Sequence, residues 1–302
     1  MTSVSFVIPV FNKSRYLKYV VDSLKTQKGD FKKEFIFIDD GSTDSSYEIL
    51  VKETKSLESC TIKKQENLGS ANATNVGIRL AKMKYIKFLD ADDIILSDTT
   101  QALINILEKN ANLVLSFGLQ RKVSDLQKVN IFEKFNHNDF SIIKNPIKKA
   151  MRNSMFNPSQ CLVLTKFCQE VGGCDERIKF SQEYSLTLKL SILGDFARLN
   201  YPIAILPFEA PGQISEKKNN QIYRVSKALE FFIEDNPQLN KSFKLYAQRR
   251  LTARAWRFAK RFKKSNLFSD WFKLYLQGFF YISSDILGNC RKANKIYEDF
   301  LD

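Results

Sequence analysis

The chain opens on short apolar runs that alternate with stretches of helical spacing. Residues Ser3–Val10 form a compact apolar run with Pro9 near its end, which predicts a buried strand. Residues 12–26 place Tyr16, Leu17, Val20, Val21 and Leu24 at helical intervals. A second strand is predicted at 35–38, stopping abruptly at Asp39-Asp40-Gly41-Ser42. Ser42-Thr43-Asp44 looks like a helix start that continues through 47–57. Further strands are expected at 61–64, at 85–89 ahead of Asp90-Ala91-Asp92-Asp93, and at 113–117, with a helix over 71–81. Strands alternating with helices predict α/β units around a mostly parallel sheet.

Charge divides the chain more sharply than hydropathy does. Its 302 residues carry 47 Lys+Arg against 33 Asp+Glu, a net charge of +14. Residues 217–302 hold 18 basic and 8 acidic side chains, a net of +10, and leave only +4 for residues 1–216. A boundary near 216 is therefore expected, with an α/β domain over 1–216 (halves near 1–117 and 118–216) and a basic, aromatic-rich helical region over 217–302. Only 11 Gly and 7 Pro accompany 44% hydrophobic residues, which excludes disordered and fibrous classes. No window reaches 18 uninterrupted apolar residues, and the first residues lack the pattern of a signal peptide. Five scattered cysteines without CxxC spacing fit a reducing cytoplasm and exclude a cysteine zinc site. The single histidine, His137, lies in a polar stretch and excludes a multi-histidine metal cluster.

Both acidic clusters follow predicted strands, so both belong at strand carboxyl ends, the edge where open α/β sheets bind ligands. One such cluster would usually be loop carboxylates capping the next helix; two at equivalent positions make a ligand site an equal reading. Carboxylates gathered at one mouth repel unless a cation joins them, and oxygen ligands on a short loop suit Mg²⁺ or Mn²⁺.

Taken together, these residues resemble the family 2 glycosyltransferases of GT-A fold. The blocks that carry the resemblance run in order from residue 3 to about 190. They are Val4-Ser5-Phe6-Val7-Ile8-Pro9-Val10-Phe11-Asn12, Ile38-Asp39-Asp40-Gly41-Ser42-Thr43-Asp44, Asn67-Leu68-Gly69 through Ile78, Phe88-Leu89-Asp90-Ala91-Asp92-Asp93, and Gly172-Gly173-Cys174-Asp175-Glu176 with Gln182-Glu183-Tyr184. The resemblance implies a hexosyltransferase-type enzyme that moves a sugar from a nucleotide-sugar donor, most often UDP-linked, to a hydroxyl of a glycan or lipid-linked saccharide. Pro9, Val10, Phe11 and Asn12 would then wall the nucleotide pocket, with Asn67, Gly69 and Ala91 beside it. Asp40, with Asp39 next to it, would accept from the uracil N3–H. Asp90 would lie near the ribose, and Asp92, with Asp90, would hold a divalent Mn²⁺ or Mg²⁺. Glu183 would be the base of a single, inverting displacement. Without the resemblance, Glu183 reads as an acid favouring a helix N-terminus.

Three positions depart from the family pattern. Thr74 stands where an arginine is common, Ala210 where a histidine often completes the metal shell, and Cys174 where an aromatic or aliphatic residue is usual. The first two keep a second reading open, a binding module that has lost catalysis.

The basic region has its own pattern. Residues 241–264 contain ten basic residues and no acidic one. Arg250, Arg254, Arg257, Arg261 and Lys264 form one helical stripe beside Leu251, Ala255, Phe258 and Phe262. Such a helix suits an anionic membrane surface, which would place the enzyme at the inner face of the cell membrane, peripheral and cytoplasmic. The same pattern also fits a helix whose apolar row packs inward while its arginines are solvated. Nucleic acid is the weakest reading, since no nucleic-acid motif accompanies the charge.

Overall fold

The computed structural model describes residues 2–178, 182–208, 218–282 and 284–300. Ala210 and the expected boundary at 216 lie outside the described residues. The elements run β1 (Ser3–Val10), α1 (Leu17–Lys25), β2 (Lys32–Asp40), α2 (Ser46–Glu53), β3 (Cys60–Gln65), α3 (Ser70–Leu80), β4 (Tyr85–Phe88), β5 (Ile94–Ile95) and α4 (Thr99–Glu108). They continue as β6 (Leu113–Val123), β7 (Phe140–Ile143), α5 (Ile147–Arg152), β8 (Cys161–Leu164), α6 (Thr165–Glu170), α7 (Gln182–Leu190) and β9 (Asp195–Pro207). Four further helices follow: α8 (Lys218–Asp235), α9 (Lys241–Phe262), α10 (Asp270–Phe280) and α11 (Ile286–Asn294).

The chain divides into two compact units, one of Met1–Pro146 with Ser154–Gln213, the other of Ile147–Asn153 with Ile214–Asp302. The short segment carrying α5, unmarked in the sequence, belongs to the second.

The first unit is built on one sheet in the order β3-β2-β1-β4-β8-β6-β9-β5, with β7 on β9. The sheet is mixed. β3, β2, β1 and β4 run parallel, while β8 is antiparallel to both β4 and β6. Strand alternation sorts side chains to two faces. Phe6, Ile8 and Val10 of β1 and Phe35 and Phe37 of β2 pack with Leu17, Val20, Val21 and Leu24 of α1. Val7, Ile36 and Ile38 point the other way, into Ala73 and Val76 of α3 and Leu186 and Leu190 of α7. Coverage on both faces explains why these strands read as unbroken apolar runs.

Two elements differ from expectation in ways that matter. Strand β2 extends through Asp40, so Asp39 and Asp40 are its last two residues rather than a loop after it. Helix α1 starts only at Leu17, and Asn12 stands outside it at φ 52°, its side chain turned to the neighbouring loop. There its Oδ1 accepts from the Thr43 and Asp44 amides at 2.8 and 3.3 Å.

In the second unit the apolar row of α9 is used internally. Leu251, Ala255, Phe258 and Ala259 are buried, and Phe258 meets Tyr297 edge-on at 4.9 Å between ring centroids. The stripe of cations is not uniformly solvated: Arg250 donates to the Arg152 carbonyl, and Arg254 to Ser226 Oγ at 3.3 Å. Phe262, at the helix end, is exposed. Among the described residues no helix is long and apolar enough to cross a membrane.

One close approach fixes how α3 lies on the sheet. A Cβ added at Gly77 would fall 2.3 Å from Val7 Cγ1 of β1. Helix propensity alone favours Ala over Gly by about 1 kcal/mol, whereas forcing a methyl into a packed contact costs about 1–3 kcal/mol. Gly77→Ala is therefore expected to lower stability in urea unfolding, and adding Val7→Ala to recover part of the loss. A stabilised single variant would show that the contact yields freely.

Candidate functional site

The parallel strands β1, β2 and β4 end at one edge of the sheet, where Val10, Asp39-Asp40 and the Asp90–Asp93 loop come together. The turn after β2 is tight. Gly41 has φ +74°, and a Cβ there would lie 2.8 Å from the Asn67 amide nitrogen. That closeness brings residues 67–69 against the β2 end.

The two aspartates of β2 have opposite environments. Asp40 is saturated: Oδ1 accepts from Gln65 Nε2 at 2.8 Å and the Leu68 amide at 3.0 Å, and Oδ2 from the Gly69 amide at 2.9 Å. Asp39 is fully buried, with only a long contact from the Ser42 amide to Oδ1 at 3.4 Å and no partner for Oδ2. A buried carboxylate oxygen without a donor costs desolvation energy, so such an atom marks a place where a ligand donor fits.

The second acidic cluster is held from two sides. Lys13 Nζ reaches from the loop after β1 to Asp92 Oδ2 at 2.6 Å. Ser159 Oγ accepts from the Asp90 amide at 2.9 Å and donates to Asp93 at 2.6 Å. Lys87, fully buried on β4, donates to the Ser159 carbonyl and to the Phe88 carbonyl at 3.1 Å. Burial lowers the Lys87 ammonium to about 8, against neighbouring acidic groups that favour its charge. Burial raises the carboxyls of Asp90 and Asp93. For Asp90 the charges of Asp92 and Glu183 add to the rise; for Asp93 those of Asp90 and Asp92 do. Lys13 and Lys87 both oppose the shift at Asp90.

Glu183 opens α7 on the far side of this cluster. Its carboxyl accepts from Ser154 Oγ at 3.4 Å and, chiefly through burial, is raised to about 6. A small cavity below it is lined by Thr74, Phe88, Phe156, Cys161, Cys174 and Leu186, which accounts for the loss of water. Thr74 and Cys174 thus line the apolar floor under Glu183.

The stretch leading to α7 is pinned to α3. Asn75 Nδ2 donates to the Cys174 carbonyl and to Glu176 Oε1, and its Oδ1 accepts from the Cys174 amide at 2.7 Å. Asn72 Nδ2 donates to Glu176 Oε2 at 2.8 Å.

The structure thus brings Asp39, Asp90, Asp92 and Glu183 to one region, with Pro9 and Val10 at the end of β1. Phe11, Asn12 and Asn67 are exposed there, while Gly69 and Ala91 are buried. Asp40 faces the 65–69 loop. Lys13, Lys87 and Ser159 were missed in the sequence. Lys87 had a signal, a charge inside the apolar run Tyr85-Ile86-Lys87-Phe88; Ser159 had none. Among the described residues no three His, Cys, Asp or Glu are grouped to hold a metal by themselves. The donors present nonetheless fit a hard cation. Asp92 Oδ2 already binds an ammonium, and Asp90 beside it is a second oxygen donor, its carboxyl raised first by burial and then by the charges of Asp92 and Glu183.

A mixed sheet with flanking helices and acidic strand ends on one edge is the architecture of the GT-A fold. The model of glycosyl transferase family 2 matches residues 5–163, more than half of the chain, and the chain belongs to that family. A protein of Rickettsia prowazekii (strain Madrid E), named an uncharacterized glycosyltransferase, is 29% identical over 192 residues, which are 62% of this chain and 58% of its own. Chondroitin synthase of Pasteurella multocida (strain Pm70) is 27% identical over 197 residues, 65% of this chain and 20% of the synthase. The match therefore spans less than two thirds of either relative. In structure, S. aureus TarS 1-349 in complex with UDP-GlcNAc aligns with a TM-score of 0.65 at 14% identity, covering 99% of this chain and 92% of that one. The mannosyltransferase PcManGT from Pyrobaculum calidifontis, in complex with GDP-Man and Mn²⁺, aligns at 0.55 and 14% identity, covering 98% and 85%. At such identity the likeness concerns the fold.

The contrast between the β2 aspartates is measurable. Asp40→Asn cannot accept from all three donors and is expected to lower stability by about 2 kcal/mol in denaturant unfolding. Asp39→Asn, which relieves a buried charge, should leave stability no lower. Equal losses in both would contradict the assignment.

Proposed function

We propose that this chain transfers a sugar from a UDP-linked donor to a hydroxyl of a glycan or lipid-linked saccharide by a single inverting displacement, with the first unit as the catalytic domain. The observation that carries the reading is the meeting of Asp39, Asp90, Asp92 and Glu183 at one sheet edge in a family 2 chain. The complexes of TarS with UDP-GlcNAc and of PcManGT with GDP-Man support a nucleotide-sugar donor. The likeness to chondroitin synthase supports a saccharide acceptor.

In this reading the free Oδ2 of Asp39 accepts the uracil N3–H, and Asp40 acts by holding the 67–69 loop that closes the pocket. Pro9, Val10, Phe11 and Asn12 flank the base, with Asn67, Gly69 and Ala91 nearby. Asp92 and Asp90 would hold a divalent cation, Mn²⁺ or Mg²⁺, with diphosphate oxygens and water completing its shell. Bound there, that cation would offset charge on the nucleoside-diphosphate leaving group. Glu183 takes the proton from the acceptor hydroxyl as its oxygen attacks the anomeric carbon. A carboxyl near 6 is ionised at neutral pH yet more basic than an exposed glutamate, which suits a general base.

The sign of the pH dependence follows. Glu183 works deprotonated, so kcat/KM should fall as pH drops through about 6. Glu183→Gln should lower kcat about 10³-fold and leave the residual rate without that limb. Turnover of a UDP-sugar at the native rate by the variant would remove Glu183 from the role.

A second partner, an anionic membrane, is supported by the second unit, though not by the apolar row of α9. Phe268 is 87%, Ile282 72%, Leu267 62% and Phe280 60% exposed, at the two ends of α10. Lys260, Arg261 and Lys264 are exposed close by in sequence. Aromatic and basic side chains together suit a headgroup interface. Cosedimentation with phosphatidylglycerol vesicles should drop several-fold in Phe268→Ser/Ile282→Ser and with added salt. Binding indifferent to both changes would contradict it.

A further inference from the structure

We infer that Lys13 is a resident counter-ion of the acidic loop, which withholds Asp92 from metal until a nucleoside diphosphate arrives. The inference rests on reading Asp92 as a metal ligand. Lys13 Nζ lies 2.6 Å from Asp92 Oδ2, and the two side chains are 17% and 12% exposed. A pair so shielded from water is attracted more strongly than one on the surface.

The lysine is aimed by a fixed backbone. Its amide donates to Ser46 Oγ at 2.8 Å, and the next amide, of Ser14, to Asp44 Oδ2 at 3.2 Å. Asn12 before it is locked in the left-handed region, with its side chain tied to the Thr43 and Asp44 amides. The loop after β1 is thereby stitched to the loop after β2, and only the four-carbon stem of Lys13 is left to swing. Asp92 sits on the loop after the neighbouring parallel strand β4. The ammonium therefore bridges two loops of the proposed nucleotide edge.

An ammonium held on Oδ2 repels a divalent cation approaching the same carboxylate, so the two compete for Asp92. A metal arriving alone must displace Lys13 and leave its charge shielded from water and unpaired, which is costly. A diphosphate arriving with the metal supplies a new anionic partner for the ammonium, so Asp92 is released at less cost. Metal and nucleotide binding are then coupled through Lys13, each tightening the other by the same factor. Lys13 is a binding and positioning residue in this scheme, with no part in proton transfer.

The test is Mn²⁺ titration followed by electron paramagnetic resonance, on the intact protein with and without saturating UDP. In Lys13→Met, nucleotide-free Mn²⁺ affinity should rise about tenfold, and the tightening produced by UDP should shrink by a similar factor. Lys13→Arg, which keeps the charge, should behave like the native protein, and it serves as the check should Lys13→Met fold poorly. Unchanged nucleotide-free affinity in Lys13→Met, with Mn²⁺ binding lost in Asp92→Asn, would overturn the inference and leave the metal reading standing. A Mn²⁺ isotherm that Asp92→Asn does not alter would overturn both.

Discussion

The constraint on which the rest depends is the crowding of like charge at one edge of a sheet. Asp90, Asp92 and Asp93 sit within four consecutive residues at the end of β4, with Glu183 close enough to raise the carboxyl of Asp90. Left alone, such a set would protonate or push its loop apart. The fold answers with Lys13 on Asp92, a Ser159 hydroxyl between Asp90 and Asp93, and Lys87 beneath, gripping the Ser159 carbonyl. The antiparallel placement of β8 against β4 has its reason here, because it delivers the Ser159 turn to the carboxyl end of β4. The carboxyls of Asp90 and Asp93 nonetheless stay raised, first by burial and then by the acids beside them.

Much of the first unit was legible because its strands are covered on both faces and therefore read as apolar runs. Ser3–Val10 is a strand with the bounds its pattern suggests. The length of β2 was not legible, since its last residues are two aspartates, and acids argue for a loop whenever their ligand is unseen. Residues 118–160 were opaque for another reason: β6 continues to Val123 as an exposed, polar extension beside β9, without the periodicity of a buried strand. In the site, the acids and Glu183 stood out by type and position. Of their holders only Lys87 did, as a charge inside an apolar run. The different surroundings of Asp39 and Asp40 could not be read from two identical side chains in sequence; they come from which one the Gln65–Gly69 loop closes upon.

The basic region shows how a pattern can be real and still point two ways. The α9 stripe exists, yet its apolar row is core and two of its arginines are tied within their own unit. Among the described residues of this unit the most exposed hydrophobic side chains lie at the ends of α10, where sequence showed only an aromatic-rich stretch. Charge and exposed aromatics together make this unit the better candidate for where the protein works, and the nearly neutral first unit the candidate for what it does.

A nucleotide-sugar pocket at the carboxyl edge of β1, β2 and β4, with Asp39 as its base contact, can be tested by calorimetric titration of UDP in the presence of Mn²⁺. UDP should bind the native chain, and Asp39→Asn should weaken that binding at least about tenfold, the loss of a charge-assisted hydrogen bond, while ADP binds poorly to both. Equal UDP affinity in native and Asp39→Asn protein, or indifference between UDP and ADP, would contradict the account.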